Sequence, residues 1–399
     1  MSASADTALS MHERVLAVIE GRKPDRTPFC DRLELWYTAL SRSGELPARF
    51  AGLSLTEIHR RVGIGQFKFV PPHDFVLHGV EMVTSVDGQE VKREQDPVTA
   101  RFPVFQDLVR TDRPGTTTFE LITPVGTVSL TQQVLAEAVK SGETCYLAET
   151  PIKRDEDYDT IEWIYEHLEL VPRFDRIREW NESIGDAGFV VPRLDRIPFQ
   201  EVLIDLLGEI ATFYALADQP KRVERLLQVV NENRLALIEL LRGLDVPYVE
   251  MVDNLTGHMT NPKLFAEYAL PSYELYSDLF HAQGKKFGSH TDGDVKPLLS
   301  MLKTCGLDVC ESFSPTPLTD CTFDEAWDVW QGQPIMWGVI PSPLLEERIP
   351  EAELHAFVDH VLETVNGAPV ILGISDMLLG NNMIERVEWI SRRIEEYAI

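Results

Sequence analysis

Two carboxylates and a histidine in the second half of the chain could together bind a metal ion. Glu250 lies in the apolar run YVEMV, His290 in GSHTDGD and Glu311 in VCESF, as expected for the ends of buried β-strands. Because side chains alternate across a strand, His290 shares a face with Asp292, and Glu250 shares one with Asn254. On neighbouring strands, Glu250, His290 and Glu311 would converge. This set suits Zn²⁺ with an open coordination position, as catalytic zinc sites require.

Each of these residues also has a purely structural interpretation. A histidine at a strand end can be a hydrogen-bonded core residue, and an arginine such as Arg193 can neutralise a buried Glu250 in place of a metal ion. Asp292 can cap a helix that begins near Val295, since aspartate is a preferred N-cap residue. Spacing alone leaves these alternatives open for His290, Glu250 and Asp292.

Further polar side chains lie where other strand candidates end. Arg193 in PRLDR could hold a carboxylate-bearing substrate, although an internal ion pair between Arg193 and Asp195 explains it equally well. Asp376 precedes the apolar residues 377–379, so it is either a site residue or a helix N-cap. Glycine-rich phosphate loops and the GxSxG nucleophile motif are absent from the sequence.

The elements that must position these residues are short apolar runs that alternate with long amphipathic segments. This alternation is typical of a parallel sheet with crossover helices. There are eight strand candidates, at residues 27–33, 66–70, 188–194, 247–253, 285–292, 307–313, 334–340 and 369–375. We therefore expect an α/β protein with a (β/α)8 barrel, whose catalytic groups lie at the carboxyl ends of the strands. In such a barrel the strands of Glu250, His290 and Glu311 are neighbours.

One region departs from this alternation. Residues 80–130 alternate with period two, and Asp87 and Gly88 form a hairpin turn signal. We interpret this region as an antiparallel β insertion after strand two, which could cover the barrel mouth or form the contact of a homodimer. The sequence contains no internal repeat, linker or low-complexity stretch, so we expect residues 1–399 to form one domain.

Composition narrows the classes of partner. The net charge is -27, with 64 acidic and 37 basic residues spread along the chain, which disfavours binding to nucleic acid or to a membrane surface. The five cysteines are odd in number and include no CxxC pair, so neither a disulfide framework nor a cysteine-rich zinc module is indicated. No apolar stretch approaches the ~18 residues needed to span a bilayer. We expect a cytoplasmic protein.

Three longer segments carry a resemblance to a known family. They are the opening MHERVLAVIEGRKPDRTPF, the block YVEMVDNLTGHMTNPKLFAEYALPSYELYSDLFHAQGKKFGSHTDGD and the close PVILGISDMLLGNNMIERVEWISRRIEEY. With these segments the chain resembles the uroporphyrinogen decarboxylase superfamily, which also contains zinc-dependent, corrinoid-linked methyltransferases. The decarboxylase branch has an arginine-rich RQAGR segment after strand one, where this chain reads DRLELWYTALSRSGELP. A histidine expected after strand eight in that branch is also missing.

The resemblance implies a methyltransferase with an unusual ligand set. The branch that methylates coenzyme M has a His-x-Cys pair at strand five and a cysteine at strand eight; this chain keeps His290 but has Asp292 and Asp376 there. Oxygen ligands make zinc a harder Lewis acid, suited to an oxygen leaving group. The resemblance therefore implies O-demethylation, in which a methoxylated small molecule donates a methyl group to the cobalamin of a separate corrinoid protein.

In this interpretation each candidate residue has a role. Zinc would be bound by Glu250, His290 and Glu311, with Asp292 or Asp376 as alternatives, and Asp253 or Asp376 would supply a proton to the departing oxygen. Arg193 and Asn254 would contact the substrate. Two other functions remain open. One is a cofactor-free, decarboxylase-like lyase that uses Asp253 and Arg193 on a carboxylated substrate, and the other is a non-catalytic binding barrel.

Overall fold

A closed barrel of eight parallel strands forms the centre of the protein, whose computed structural model describes residues 8–397. The strands follow each other in the sheet in chain order, and a bridge between Phe29 and Leu372 joins the first strand to the eighth. The predicted barrel is thus confirmed, with one strand at each predicted run. The strands are Cys30–Asp31, Gly65–Val70, Gly188–Leu194, Tyr248–Met251, Lys286–His290, Val309–Phe313, Ile335–Pro341 and Val370–Ser375.

Aromatic side chains fill the amino-terminal half of the barrel interior. We call this group the aromatic layer; Phe67, Phe189, Tyr248 and Trp337 are its rings. The Trp337 ring lies 4.7 Å from Phe67 and 6.5 Å from Tyr248, centroid to centroid. Its Nε1 donates a hydrogen bond of 3.0 Å to the carbonyl oxygen of Cys30. The layer closes one end of the barrel, so polar interior groups lie towards the carboxyl ends of the strands.

Helices surround the barrel and bury their apolar faces against the barrel or against the insertion. In the helix Pro220–Leu240, proline occupies the first turn and the buried residues Val223, Leu226, Val230 and Leu237 recur at three-, four- and seven-residue spacing. The α-helices are Met11–Ile19, Glu34–Ser43, Leu55–Val62, Ala136–Ser141, Asp155–His167, Phe174–Ile184, Pro198–Glu201, Glu209–Asp218, Pro220–Leu240, Pro262–Leu264, Leu270–His281, Leu299–Leu302, Phe323–Trp330, Glu351–Val365 and Ile384–Glu396. The π-helical segments Val202–Leu206 and Phe265–Ala269 extend two of them.

The predicted antiparallel insertion after the second strand is present and extends beyond the predicted residues 80–130. Asp87 and Gly88 turn the chain at positive φ, 50° and 80°, as the hairpin prediction requires. A five-stranded sheet contains, in spatial order, Gln89–Glu94, Glu81–Val86, Gly115–Ile122, Thr127–Val134 and Tyr146–Glu149. A three-stranded sheet contains Leu168–Pro172, His73–Leu77 and Val98–Ala100.

The insertion borders the carboxyl end of the third barrel strand. His73 Nε2 lies 3.0 Å from Asp195 Oδ2, and Arg101 Nη2 lies 3.4 Å from Asp195 Oδ1. One part of the insertion therefore lies beside the barrel mouth.

Neither disulfides nor a membrane-spanning helix are found in the described part of the chain. All five cysteines are buried and free. Within residues 8–397, no helix combines the length and the apolar character needed to cross a bilayer.

Replacement of Trp337 by alanine should destabilise the barrel strongly. Trp337 is 1% exposed, so the change leaves a cavity in the aromatic layer and removes a buried hydrogen bond, with an expected loss of ~3–5 kcal/mol in the free energy of unfolding. Urea titration of the wild type and the variant measures this loss. Tyr214→Ala is the control, because Tyr214 is 68% exposed. Similar losses in both variants would contradict the role given to the aromatic layer.

Candidate metal centre

The structure brings Glu250, His290 and Glu311 together in the barrel interior; we call them the Glu–His–Glu cluster. Each side chain offers one ligand atom, and these atoms all lie within 4.8 Å of one another. Strand register explains the convergence, because His290 pairs with Glu311 and Glu250 pairs with Gly288, two residues before His290. All three residues are buried.

His290 is held between two carboxylates. Its Nδ1 is hydrogen bonded to Glu311 Oε2, and its Nε2 lies 3.6 Å from Asp292 Oδ2. Burial lowers the pKa of His290, but the charges of Glu311 and Asp292 outweigh burial and raise the pKa to about 10. In the metal-free chain the imidazolium thus supplies the positive charge that these carboxylates need.

Glu250 retains an unused buried oxygen. Tyr248 donates a hydrogen bond of 2.7 Å to Oε2, whereas Oε1 is buried and has no hydrogen-bond partner among the described residues. Burial and the nearby Glu311 carboxylate raise the pKa of Glu250 well above its usual value. A cation bound by the cluster would satisfy Oε1 and reduce the repulsion between the two carboxylates. The residues therefore fit a divalent metal ion with two oxygen ligands and one nitrogen ligand, which leaves a coordination position open.

Hydrogen bonds connect Asp292, which lies beside His290, to Asn254 and Arg196 in the barrel wall. Asn254 Nδ2 donates a hydrogen bond of 2.7 Å to Asp292 Oδ2, and Arg196 Nη1 donates one of 2.5 Å to Asn254 Oδ1. The alternative of Asp292 as a helix cap is not observed, because the amide of Lys296 donates instead to Asp294. Asp292 thus lies beside His290, as the alternation of side chains predicted.

Asp376 lies just after the eighth strand and near the cluster. Its backbone has a positive φ of 59°, and its carbonyl oxygen accepts a hydrogen bond of 3.3 Å from Arg32 Nη2. Burial and the neighbouring Asp292 carboxylate raise the pKa of Asp376. Asp376 is not a helix cap, because the next helix begins only at Ile384.

The structure places Asp253 on the other side of the barrel wall. Its carboxylate accepts hydrogen bonds from the amide of Ile197 at 2.8 Å and from the hydroxyls of Tyr273 and Ser289 at 2.9 and 2.7 Å. Ser289 precedes His290 in the same strand, so the two side chains point to opposite faces. Asp253 is therefore not brought together with the Glu–His–Glu cluster, and its bonds tie the fourth and fifth strands to the surrounding helices.

Arg193 lies next to the cluster without pairing with it. It is in register with Glu250 on the neighbouring strand. Neither a hydrogen bond nor an ion pair joins Arg193 to Glu250 or Asp195 in the described residues; Asp195 pairs with His73 and Arg101 instead. The two structural interpretations of Arg193, as a partner of Glu250 or of Asp195, are thus not observed.

Arg32 is a further neighbour of the cluster and was not among the predicted site residues. It follows the first strand directly, and its guanidinium carbon lies 5.1 Å from the centre of the Phe69 ring, which in turn lies 6.2 Å from the His290 ring. Burial lowers the pKa of Arg32, but the charge of Glu311 and of other carboxylates outweighs burial and raises it. Its position at the end of the first strand candidate, in CDRL, is the feature of the sequence that could have identified it.

Comparisons with known proteins agree with the resemblance seen in the sequence. The uroporphyrinogen decarboxylase (URO-D) family model matches residues 209–397, which include the Glu–His–Glu cluster and Asp376. A search of the curated proteins found no match. Among solved structures, the chain is similar to a methyltransferase from Methanosarcina mazei, with a TM-score of 0.60 and 14% identity over 98% of this chain and 99% of that chain. The predicted resemblance is therefore confirmed, and the structural likeness shows a shared fold.

Loss of His290 should weaken binding of divalent metal ions. Chelator-treated protein should bind Zn²⁺ and Co²⁺ tightly, and His290→Ala should lower the affinity by at least about tenfold, because it removes the nitrogen ligand and leaves two carboxylates unpaired. Competition with a chromophoric chelator measures the affinity. His258→Ala is the matched control, since it alters a second, more exposed group of potential ligands, His258, Asp294 and Asp320. Equal affinities in wild type and His290→Ala would contradict the assignment.

Proposed function

We propose that this protein is a zinc-dependent methyltransferase that moves a methyl group from a methoxylated substrate to the cobalamin of a separate corrinoid protein. The observation that carries the proposal is the Glu–His–Glu cluster, a buried set of oxygen and nitrogen ligands inside a barrel. The match of residues 209–397 to the URO-D family model supports it, as does the fold shared with a methyltransferase.

The ligand set favours an oxygen-bound methyl group over a thiol as the substrate. Asp292 and Asp376 occupy the positions that the resemblance assigns to cysteines in the thiol-methylating branch, and the cluster itself contains no sulfur. When bound, zinc would act as a Lewis acid on the ether oxygen of the methyl donor. Carboxylate ligation keeps the ion hard, which matches an ether or phenolate oxygen better than a thiolate.

The chain's own residues would handle the proton of this reaction. When the methyl group is transferred, its bond to oxygen would break, and the reduced corrinoid would supply the electron pair of the new bond to carbon. The oxygen would keep the electron pair of the broken bond and take up a proton. Asp376 is the better placed of the two predicted donors, because it lies at the barrel mouth near His290 and its raised pKa favours the protonated form. Asp253 already accepts three hydrogen bonds in the barrel wall.

The geometry supports one side of the barrel for the partner. Because the aromatic layer closes the amino-terminal half of the barrel, the corrinoid protein would present its cofactor at the carboxyl ends of the strands, where Asp376 lies. The proposal includes a cytoplasmic location, and a homodimer formed through the antiparallel insertion stays a prediction.

A cofactor-free lyase acting on a carboxylated substrate is the second candidate function. It is favoured by Arg193, a cation beside Glu250 that has no anionic partner in the described residues, and by the URO-D family match. Release of carbon dioxide without any corrinoid protein would support this function over methyl transfer.

The proposal predicts that methyl transfer depends on the cluster. Zinc-loaded protein mixed with a methoxylated donor and a reduced corrinoid protein should form methylcobalamin, which absorption spectroscopy detects. His290→Ala should lower the rate at least about 100-fold, because the leaving oxygen loses its stabilisation. The control His258→Ala should keep the wild-type rate. Full activity of metal-free protein would refute the proposal.

The role given to Asp376 predicts a specific kinetic defect. Asp376→Asn should lower kcat by about 100-fold with little change in KM, since an amide cannot deliver the proton while the donor still binds. Asp253→Asn, measured in parallel, should instead lower the free energy of unfolding, because it disrupts a buried hydrogen-bonded carboxylate. An unchanged kcat in Asp376→Asn would remove Asp376 from the reaction.

A further inference from the structure

A small charged cavity lies between the third barrel strand and the antiparallel insertion. Its volume is about 40 Å³, which is comparable to the share of one or two water molecules in the liquid. It therefore accepts a group of a few heavy atoms rather than a whole ring. Among the residues that line it are Arg101, Arg193, Asp195, Arg196, Asp205 and Val252.

Three carboxylates in the interior of this cavity already have arginine partners. Asp195 Oδ1 lies 3.4 Å from Arg101 Nη2, Asp205 Oδ2 lies 2.8 Å from Arg196 Nε, and the buried Glu201 pairs with Arg234. None of these acids forms an ion pair with Arg193. Arg193 is therefore the guanidinium of the cavity that has no carboxylate partner among the described residues.

Unsatisfied donors belong to the same cavity. Arg193 Nε and Arg101 Nη1 are both buried and lack a hydrogen-bond partner in the described residues. Asp107 also lines the cavity, but it is exposed and makes no ion pair with Arg193 among the described residues. Burial and the like charges of Arg101 and Arg196 lower the pKa of Arg193 to about 10, so the side chain is still cationic at neutral pH. A buried cation with unused donors favours an anion as the missing partner.

The cavity adjoins the Glu–His–Glu cluster. Arg193 and Glu250 are paired in register on neighbouring strands, which lie about 5 Å apart. Val252, which lines the cavity, lies two residues after Glu250, just beyond the end of the fourth strand at Met251. A molecule of moderate size can therefore place one end against Arg193 and another end at the cluster.

We infer that the methyl donor carries a carboxylate, which Arg193 binds in this cavity while the methoxy group lies at the Glu–His–Glu cluster. This inference rests on the proposed function, which identifies the ligand of the cavity as the methyl donor. A planar guanidinium donates two parallel hydrogen bonds to a carboxylate, and the cavity is small enough to favour this group. The donor is thus a methoxylated carboxylic acid, aromatic or aliphatic.

Binding measurements test this without methyl transfer. Zinc-loaded protein, without corrinoid protein, is titrated with methoxyacetate and with 2-, 3- and 4-methoxybenzoate, each against the corresponding neutral amide, by calorimetry. We expect at least one acid to bind about tenfold or more tighter than its amide, because only the carboxylate is an anion that accepts two parallel hydrogen bonds from the guanidinium. Arg193→Met should abolish this preference, and Arg193→Lys, which keeps the charge but not the paired donors, should retain part of it.

Control variants separate the possible failures. Arg113→Met should bind as the wild type does, because Arg113 is an exposed partner of Asp87 in the insertion. Thermal unfolding of Arg193→Met and Arg193→Lys shows whether each variant is folded. The inference is overturned if no acid is preferred over its amide, or if folded Arg193→Met prefers the acid as strongly as the wild type does. Acid preference without methyl transfer would instead refute only the proposed function, whereas transfer from neutral and acidic donors at equal rates would refute only the inference.

Discussion

The arrangement of the candidate site depends on the need to neutralise the carboxylates that are buried inside the barrel. Glu250 and Glu311 are 0% and 4% exposed, and carboxylates so deeply buried are costly unless cations or donors compensate them. His290 and Arg32 supply positive charge, and Tyr248 supplies one hydrogen bond. Because Glu250 Oε1 still has no partner in the described residues, the compensation from the chain alone is incomplete. The cluster is also joined to the aromatic layer, because the hydroxyl that donates to Glu250 belongs to Tyr248, a member of that layer.

Much of the fold and part of the site followed from local sequence patterns. The eight apolar runs predicted the barrel strands, and alternation within those runs predicted that His290 and Glu250 face inward with Glu311. The same rule places the side chain of Asp253 on the face opposite to that of Glu250. Asp253 was therefore predicted as a site residue because it is acidic, and not because its side chain was expected to face the barrel interior. Its hydrogen bonds to Ser289 and Tyr273 in the wall agree with the alternation.

The features that the sequence did not reveal depend on contacts between distant segments. Leu168–Pro172 pairs with His73–Leu77 across a long stretch of chain. Tyr146–Glu149 is a short, largely exposed strand with no clear alternation of buried and exposed residues. For these reasons the insertion is larger than the segment whose period-two pattern predicted it. Similarly, the partner of Asp195 is not the adjacent Arg193 but Arg101 and His73 of the insertion. Spacing along one strand cannot identify such partners, because several arginines compete for each carboxylate.

A chain of hydrogen bonds links the cavity beside Arg193 to the cluster and fixes the orientation of the side chains in this chain. Asp205 accepts from Arg196, Arg196 donates to Asn254 Oδ1, and the remaining amide group of Asn254 donates to Asp292. Arginine has only donors, so it sets which end of the Asn254 amide faces Asp292. Asn254, predicted as a substrate contact, is therefore engaged on both sides within the wall. Asp292 is held as an acceptor beside His290, and a ligand bound at Arg193 and at the cluster would lie along this fixed chain.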